Sequence, residues 1–142
     1  MTSAEMARSY FRQAQRIFEE AERHQQAQAW HLVVRRCQET VELALKAVLR
    51  AAGIEVPHVH DVGLFFVEHA ERFPETFTKR LDRVVSVSRR LREEREISFY
   101  GDEELGAPAE RLYTADDARD ALSDARFILT ICEAHLPAAP AR

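Results

Sequence analysis

The clearest pattern in the chain is the alternation of apolar and polar positions between residues 27 and 52. Apolar side chains recur there every three or four residues, the spacing that places them on one face of an α-helix. They are Trp30, Val33, Val34, Cys37, Val41, Ala44, Leu45, Val48, Leu49 and Ala52, and Gly53 follows where a helix C-terminal cap belongs. At ~1.5 Å per residue this second helix is about 39 Å long, so we expect it to form the spine of the fold.

Four further helices are predicted from the same periodicity and from their caps. The first begins at a Ser3 cap and reaches about His24; the third begins at Asp61 and ends near Ala70. The fourth runs from Pro74 to about Ile97. The fifth begins at Thr114, with Asp117 near a capping-box position. The inner face of the first helix is expected at Met6, Tyr10, Ala14, Ile17, Phe18 and Ala21, and that of the fifth at Ala118, Ala121, Leu122, Ala125, Leu129 and Cys132.

These elements predict an all-α fold, an antiparallel up-and-down bundle of four to five helices. Residues 1–136 form one domain in this interpretation, and residues 137–142 form a disordered tail. Neither an internal repeat nor a convincing strand pattern is present in the sequence.

Composition and charge narrow the class of protein. The chain has 142 residues, a net charge of −4 and 46% hydrophobic residues, which is typical of a compact globular domain. It contains no apolar run of the ~20 residues that a membrane span needs and no signal-peptide pattern, so we expect a cytoplasmic protein with no membrane partner. Cys37 and Cys132 fall at apolar helical positions and are expected to be buried, reduced thiols. No cofactor-binding motif is present.

The charge pattern near the end of the fourth helix is the main candidate for chemistry. Residues 72–95 hold eight Arg or Lys and only four Asp or Glu, and an acidic stretch begins at Glu96. One face of this helix has residues at spacings of three and four: Phe77, Leu81, Val84, Ser88, Leu91, Arg95 and Ser98. This inner seam is mostly apolar in its first half and becomes polar at its end. Two interpretations are open: the helix emerges into water, or its arginines bind an anion through their planar guanidinium groups.

The region from residue 29 to residue 66 resembles the signature half of HEPN domains. The matching features are Trp30, the pair Gln38 and Glu42, the "ALKAVL" block around Lys46, a glycine turn, and His60-Asp61 at the start of the next helix. The later part of the chain agrees with the same family: an Arg and a Tyr occur at the end of the fourth helix, and an alanine-rich last helix follows. The resemblance implies a HEPN-like bundle that forms a two-fold homodimer, which we expect to pair through the second and fourth helices. It also implies a possible minimal nucleotidyltransferase partner in a toxin–antitoxin pair, and many such domains are metal-independent ribonucleases.

The resemblance also implies where a catalytic motif would lie. Ribonucleases of this class carry an Arg, then a His after four to six residues, often with a Tyr two residues later. Here Arg92 is followed by Ser98 and Tyr100, so the arginine and tyrosine match and the histidine does not. Metal-independent RNA cleavage needs a group that exchanges protons near neutral pH, and a serine hydroxyl does not. Arg92 and Arg95 remain candidates for binding a phosphate.

Two functions follow from these residues. The first is a non-cleaving HEPN module of a homodimer that binds a nucleotide, RNA or a nucleotidyltransferase partner through Arg92, Arg95, Tyr100 and Lys46. The second is a ribonuclease in which a displaced histidine, His58 or His60, works with Arg92 and Ser98. Within the resemblance, Tyr100 is also the residue that a partner nucleotidyltransferase would adenylylate.

Other chemistry has weaker support. His58, His60 and Asp61 are too few ligands for a zinc signature, and the resemblance uses His-Asp to begin a helix, so we predict no metal and no cofactor. Glu42 and Lys46 have the spacing of an ordinary helical ion pair, although lining of a dimer cleft is an equal alternative.

Overall fold

The computed structural model describes residues 2–56 and 61–138. Seven α-helical segments occur in these ranges: α1 (Ser3–Gln26), α2 (Trp30–Ala51), α3 (Val62–Glu68), α4 (Glu75–Thr78), α5 (Leu81–Glu93), α6 (Ile97–Tyr100) and α7 (Ala115–Ala134). Short 3-10 turns cover Ala70–Arg72 and Ala109–Arg111. The described residues contain no β-strand, and the all-α bundle predicted from the sequence is confirmed.

The central helix is α2, as its long apolar pattern predicts. Every residue from Trp30 to Ala52 is buried or half-buried, because α1 and α7 pack along it and α3, α5 and α6 cover the rest. It begins at Trp30, three residues later than expected. Gly53 follows with φ 77°, and the Ile54 amide donates to the Leu49 carbonyl at 2.9 Å, so the expected glycine cap is present.

The first helix differs from expectation in its cap and in its buried face. Thr2, not Ser3, is the cap: its hydroxyl accepts from the Glu5 amide at 3.1 Å and the Glu5 carboxylate accepts from the Thr2 amide at 2.7 Å. The buried residues are Ala7, Phe11, Ala14, Phe18 and Ala21, whereas Met6, Tyr10 and Ile17 are half-buried. The predicted inner face is therefore correct at Ala14, Phe18 and Ala21, and it is displaced by one residue in the first half of the helix, where Ala7 and Phe11 are the buried positions.

The predicted fourth helix is wrong as a continuous element, because the chain forms α4, α5 and α6 in succession. Phe77 in α4 lies at 4.9 Å from the Phe66 ring and 5.4 Å from the Phe73 ring, which directs the chain toward α3. A turn at Arg80 then starts α5, whose Val84, Val87, Ser88 and Leu91 are buried. The interruptions let each short segment follow a different part of the core.

The acidic stretch after α6 forms a tight turn. Asp102 and Ala107 exchange two backbone hydrogen bonds, at 2.8 and 2.9 Å. Gly101 precedes this turn with φ 74°, and a Cβ atom there would lie 2.3 Å from the Ala107 carbonyl oxygen. Only glycine fits this position, so Gly101 fixes the end of α6.

The remaining caps agree with the sequence. The Thr114 hydroxyl accepts from the Asp117 amide at 3.2 Å, the reciprocal bond is 2.9 Å, and the Asp61 carboxylate caps α3 through the Gly63 amide at 3.1 Å. On α7 the predicted inner positions are buried except Leu129, which is half-buried. Asp61 caps a shorter helix than expected, since α3 ends at Glu68 and a 3-10 turn follows.

Cys37 and Cys132 are free and fully buried, as expected. Burial raises the pKa of both thiols, so neither is activated as a nucleophile.

None of the described helices combines the length and apolar character that a membrane span requires. The predicted tail lies partly outside the described residues, which end at 138, and the domain boundary stays a prediction.

Candidate functional site

The polar end of the inner seam is buried against α2. Ser98 is 0% exposed, and its hydroxyl donates to the Arg95 carbonyl oxygen at 3.3 Å. The Arg95 guanidinium donates to the side-chain oxygen of Gln38 at 2.9 Å, and Gln38 is itself only 2% exposed. The interpretation in which this seam simply emerges into water is therefore wrong for Ser98, whereas Arg95 is half-buried, with 32% of its side chain exposed.

Arg92 enters the same polar layer one turn earlier on α5. Its Nη1 atom lies 2.6 Å from Oε1 of Glu42, and Nζ of Lys46 lies 3.7 Å from Oε2 of the same carboxylate. The expected pair of Glu42 and Lys46 is thus one half of a three-residue cluster. Two cations share one carboxylate, which leaves the cluster with a net positive charge.

Arg35 is a further member of this layer that was not predicted from the sequence. Its Nη1 atom donates to the Arg95 carbonyl oxygen at 2.6 Å, and its guanidinium lies 4.9 Å from the centre of the Phe99 ring. A polar stripe runs beside the apolar stripe of α2, because its members are spaced by three and four residues; they are Arg35, Gln38, Glu42 and Lys46. That spacing is the signal that would have identified Arg35.

Phe99 and Tyr100 lie at the surface next to these arginines. Their rings meet edge to face at 5.2 Å, and Tyr100 is 57% exposed. The side chains of Arg92 and Arg95 are 33% and 32% exposed. We call the residues Arg35, Arg92, Arg95, Phe99 and Tyr100 the arginine–aromatic surface. Guanidinium groups can bind phosphate oxygens and exposed rings can stack on bases, so this surface has the chemistry of a nucleic-acid or nucleotide site.

Asp61 extends the polar layer toward α3. Its Oδ1 atom accepts from the Ser88 hydroxyl at 3.2 Å, and its Oδ2 atom lies 3.6 Å from Nε of Arg89. The candidate residues His58 and His60 lie outside the described residues. Among the residues that are described, no group of three His, Cys, Asp or Glu side chains is arranged to hold a metal ion.

Glu93 and Glu94 follow Arg92 in the sequence, but both side chains line a groove on a different face of the protein from the arginine–aromatic surface. A groove of about 540 Å³ lies between α5, α6 and α7, and six carboxylates line it: Glu93, Glu94, Asp102, Asp117, Asp120 and Asp124. Glu94 accepts a hydrogen bond from the Tyr113 hydroxyl, and burial together with this bond raises the pKa of Tyr113. Arg90 reaches Asp124 at 3.1 Å. Glu93 and Glu94 therefore do little to neutralise Arg92, whereas Arg95 keeps a contact of 4.0 Å with Glu96.

The fold and this polar layer define a helical bundle with a cationic surface near the end of its interrupted fourth helix. The HEPN domain family model matches residues 7–135, so the chain belongs to the HEPN family. Among solved structures it is similar to the crystal structure of TT1696 from Thermus thermophilus, with a TM-score of 0.77 and 26% sequence identity. That similarity covers 92% of this chain and 98% of the other. None of the curated proteins matches the chain.

The position of α6 should depend on Arg35, because this side chain joins α2 to both the backbone and the ring of the segment. We expect Arg35→Met to lower the amide hydrogen-exchange protection of residues 97–100 by about 1–3 kcal/mol, the usual loss for a hydrogen bond to a charged group. Arg36→Met is the matched control, since Arg36 pairs instead with Glu39 at 2.6 Å. Equal protection of α6 in both variants would contradict this role.

Proposed function

We propose that this HEPN protein binds single-stranded RNA at the arginine–aromatic surface and does not cleave it. The observation that carries this proposal is the position of Ser98. Where the catalytic resemblance calls for an imidazole, the chain has a fully buried hydroxyl that donates to the Arg95 carbonyl oxygen. A group in that position neither titrates near neutral pH nor reaches a bound strand.

Phosphate binding is supported by the charges on this surface. Arg92 and Arg95 keep about a third of their side chains exposed, and Glu42 is the one carboxylate that Arg92 and Lys46 share. A phosphate oxygen can approach the free edge of either guanidinium while the existing bonds to Glu42 and Gln38 hold it in place. This preorganisation reduces the entropy that binding costs.

A single strand is favoured over a duplex because of Phe99 and Tyr100. Both rings are exposed and contact each other edge to face beside the arginines. Unpaired bases can stack on such rings, whereas the bases of an RNA helix are already stacked and its major groove is too narrow for side chains. A mononucleotide has the same two groups and is the smallest ligand that fits this chemistry.

We predict measurable binding of a labelled single-stranded oligouridylate by fluorescence anisotropy, weakening as salt rises. Arg92→Gln should lower the affinity about tenfold, the loss of one charge-assisted contact. The introduced amide can still donate to the Glu42 carboxylate, and Lys46 stays 3.7 Å from it, so folding should be retained. Arg119→Gln is the control, because Arg119 is exposed on α7 and pairs with Asp116 at 2.8 Å. Equal RNA affinity of Arg92→Gln and Arg119→Gln would show that RNA does not bind at Arg92.

The same RNA should remain intact on a denaturing gel after incubation with the protein in a metal chelator. The alternative function, cleavage through a displaced histidine, predicts the opposite. Robust cutting by the unaltered protein that is lost in His60→Ala would establish that alternative and overturn the non-cleaving proposal.

A homodimer is part of the proposal. Seven large apolar side chains are exposed in the described residues; four lie on or just after α6, two lie on α3 and none lies on α2. The four near α6 are Ile97, Phe99, Tyr100 and Leu105, although the dimer was expected through the second and fourth helices. Pairing two copies through Ile97 and Leu105 would cover apolar surface and bring two arginine clusters together, and it would leave the rings of Phe99 and Tyr100 exposed for a bound strand. We expect light scattering to give twice the 16.3 kDa chain mass at micromolar concentration. A monomeric mass at that concentration would contradict the homodimer and any site shared by its two subunits.

Tyr100 is the proposed site of regulation by a minimal nucleotidyltransferase. Its exposed phenol oxygen would attack the α-phosphorus of ATP, releasing pyrophosphate and the phenol proton, and the new phosphodiester would lie on the arginine–aromatic surface. We expect co-expression with a nucleotidyltransferase encoded next to this chain to add adenylyl mass, mapped by mass spectrometry to Tyr100. The half-buried Tyr113, whose hydroxyl donates to Glu94, is the internal control. Adenylylation at another residue, or none with ATP present, would contradict the assignment.

A further inference from the structure

A small pocket of about 200 Å³ lies between α1, α2 and the residues that follow α2. Leu43, Ile54 and Val56 form the apolar part of its wall. The polar part has a phenol, an ammonium group, a guanidinium group and one carboxylate, from Tyr10, Lys46, Arg50 and Glu55, so two cations face one anion. Pockets for drug-sized ligands begin at roughly 300 Å³. An occupant of this pocket must therefore be a small molecule or one part of a larger one.

Arg50 is the most weakly paired cation in this pocket. Its Nη1 atom lies 3.7 Å from a carboxylate oxygen of Glu55, and the Glu55 side chain is 87% exposed. Its Nε atom is buried and has no hydrogen-bond partner within residues 2–56 and 61–138. Buried donors in folded proteins are nearly always paired, so this guanidinium has unused hydrogen-bonding capacity.

Two other arginines on α2 have a buried Nε without a partner in the described part of the chain, but their guanidinium groups are held differently. Nη1 of Arg35 bonds to the Arg95 carbonyl oxygen at 2.6 Å, and Nη1 of Arg36 bonds to Glu39 at 2.6 Å. Among the described residues, Arg50 has only the long contact with Glu55. Of these three arginines, Arg50 therefore has the most unused hydrogen-bonding capacity, and Arg50 lines the pocket.

Lys46 adds a second weakly paired cation. Its Nζ atom is 3.7 Å from Glu42, beyond hydrogen-bond distance, whereas Arg92 lies 2.6 Å from the same carboxylate. Glu42 is thus held mainly by Arg92. Lys46 and Arg50 are separated by four residues on α2, so both side chains are on one face of the helix.

We propose that this pocket binds a small amphipathic anion, a phosphate or carboxylate carried on an apolar body. Arg50 and Lys46 hold the anionic group, and the walls formed by Leu43, Ile54 and Val56 cover the apolar part. The pocket shares only Lys46 with the residues predicted to bind RNA, and none of the residues of the arginine–aromatic surface lines it, so Arg50→Met should leave RNA binding unchanged.

The test is an NMR titration of the isotope-labelled full chain with phenyl phosphate, benzoate, inorganic phosphate and phenol. We expect phenyl phosphate or benzoate to shift the amide signals around residues 43–55 at lower concentration than either half-molecule does. The better of the two identifies the anionic group. Arg50→Met should weaken that binding about tenfold or more, and Arg16→Met, which removes an exposed arginine of α1, should leave it unchanged.

Shifts from inorganic phosphate as strong as those from phenyl phosphate would overturn the proposal, since they indicate ion binding without the apolar wall. Signals that move only outside residues 43–55, or wild-type affinity in Arg50→Met, would overturn it as well. If Arg50→Met does not fold, Lys46→Met is the replacement, and the map of shifts on the unaltered chain decides independently.

Discussion

The hydrogen bond between Arg95 and Gln38 fixes how the functional end of this protein is built. Gln38 is buried within α2, and a buried amide without a partner costs about 1–3 kcal/mol. The Arg95 guanidinium supplies that partner at 2.9 Å, while the Arg95 carbonyl oxygen accepts from Arg35 and from Ser98. One residue therefore holds α6 against α2. With Ser98 turned inward, Phe99 and Tyr100 on the neighbouring positions of α6 face the solvent.

This arrangement separates charge in a chain whose net charge is only −4. Arg92, Arg95 and Lys46 gather along the polar stripe of α2, whereas residues 102–124 hold eight acidic and two basic side chains. Exposed charges are screened over about 8 Å at physiological salt, so the acidic groove weakens the field at the arginine–aromatic surface without cancelling it. A negative protein can therefore present a local site for an anion.

The sequence predicted the helices and the family more reliably than it predicted the site. A long periodic stripe and a following glycine are enough to define α2, and the caps at Asp61 and Thr114 were read directly. The breaks at Arg80 and after Glu93 were missed because these positions carry good helix formers, and contacts with the aromatic cluster and with α2 override that propensity. The buried state of Ser98 was equally hidden, since it depends on the distant residues Arg35 and Gln38.

The buried serine also decides what would be needed for this surface to become catalytic. An imidazole at position 98 would enter a space that a hydroxyl fills completely, and overpacking of this kind costs about 1–3 kcal/mol. It would also face the Arg95 carbonyl oxygen and not the strand bound outside. Proton transfer would thus require α6 to turn, which would break the contacts of Arg35 with Arg95 and Phe99. The bonds that order the arginines for binding oppose the rotation that catalysis would need.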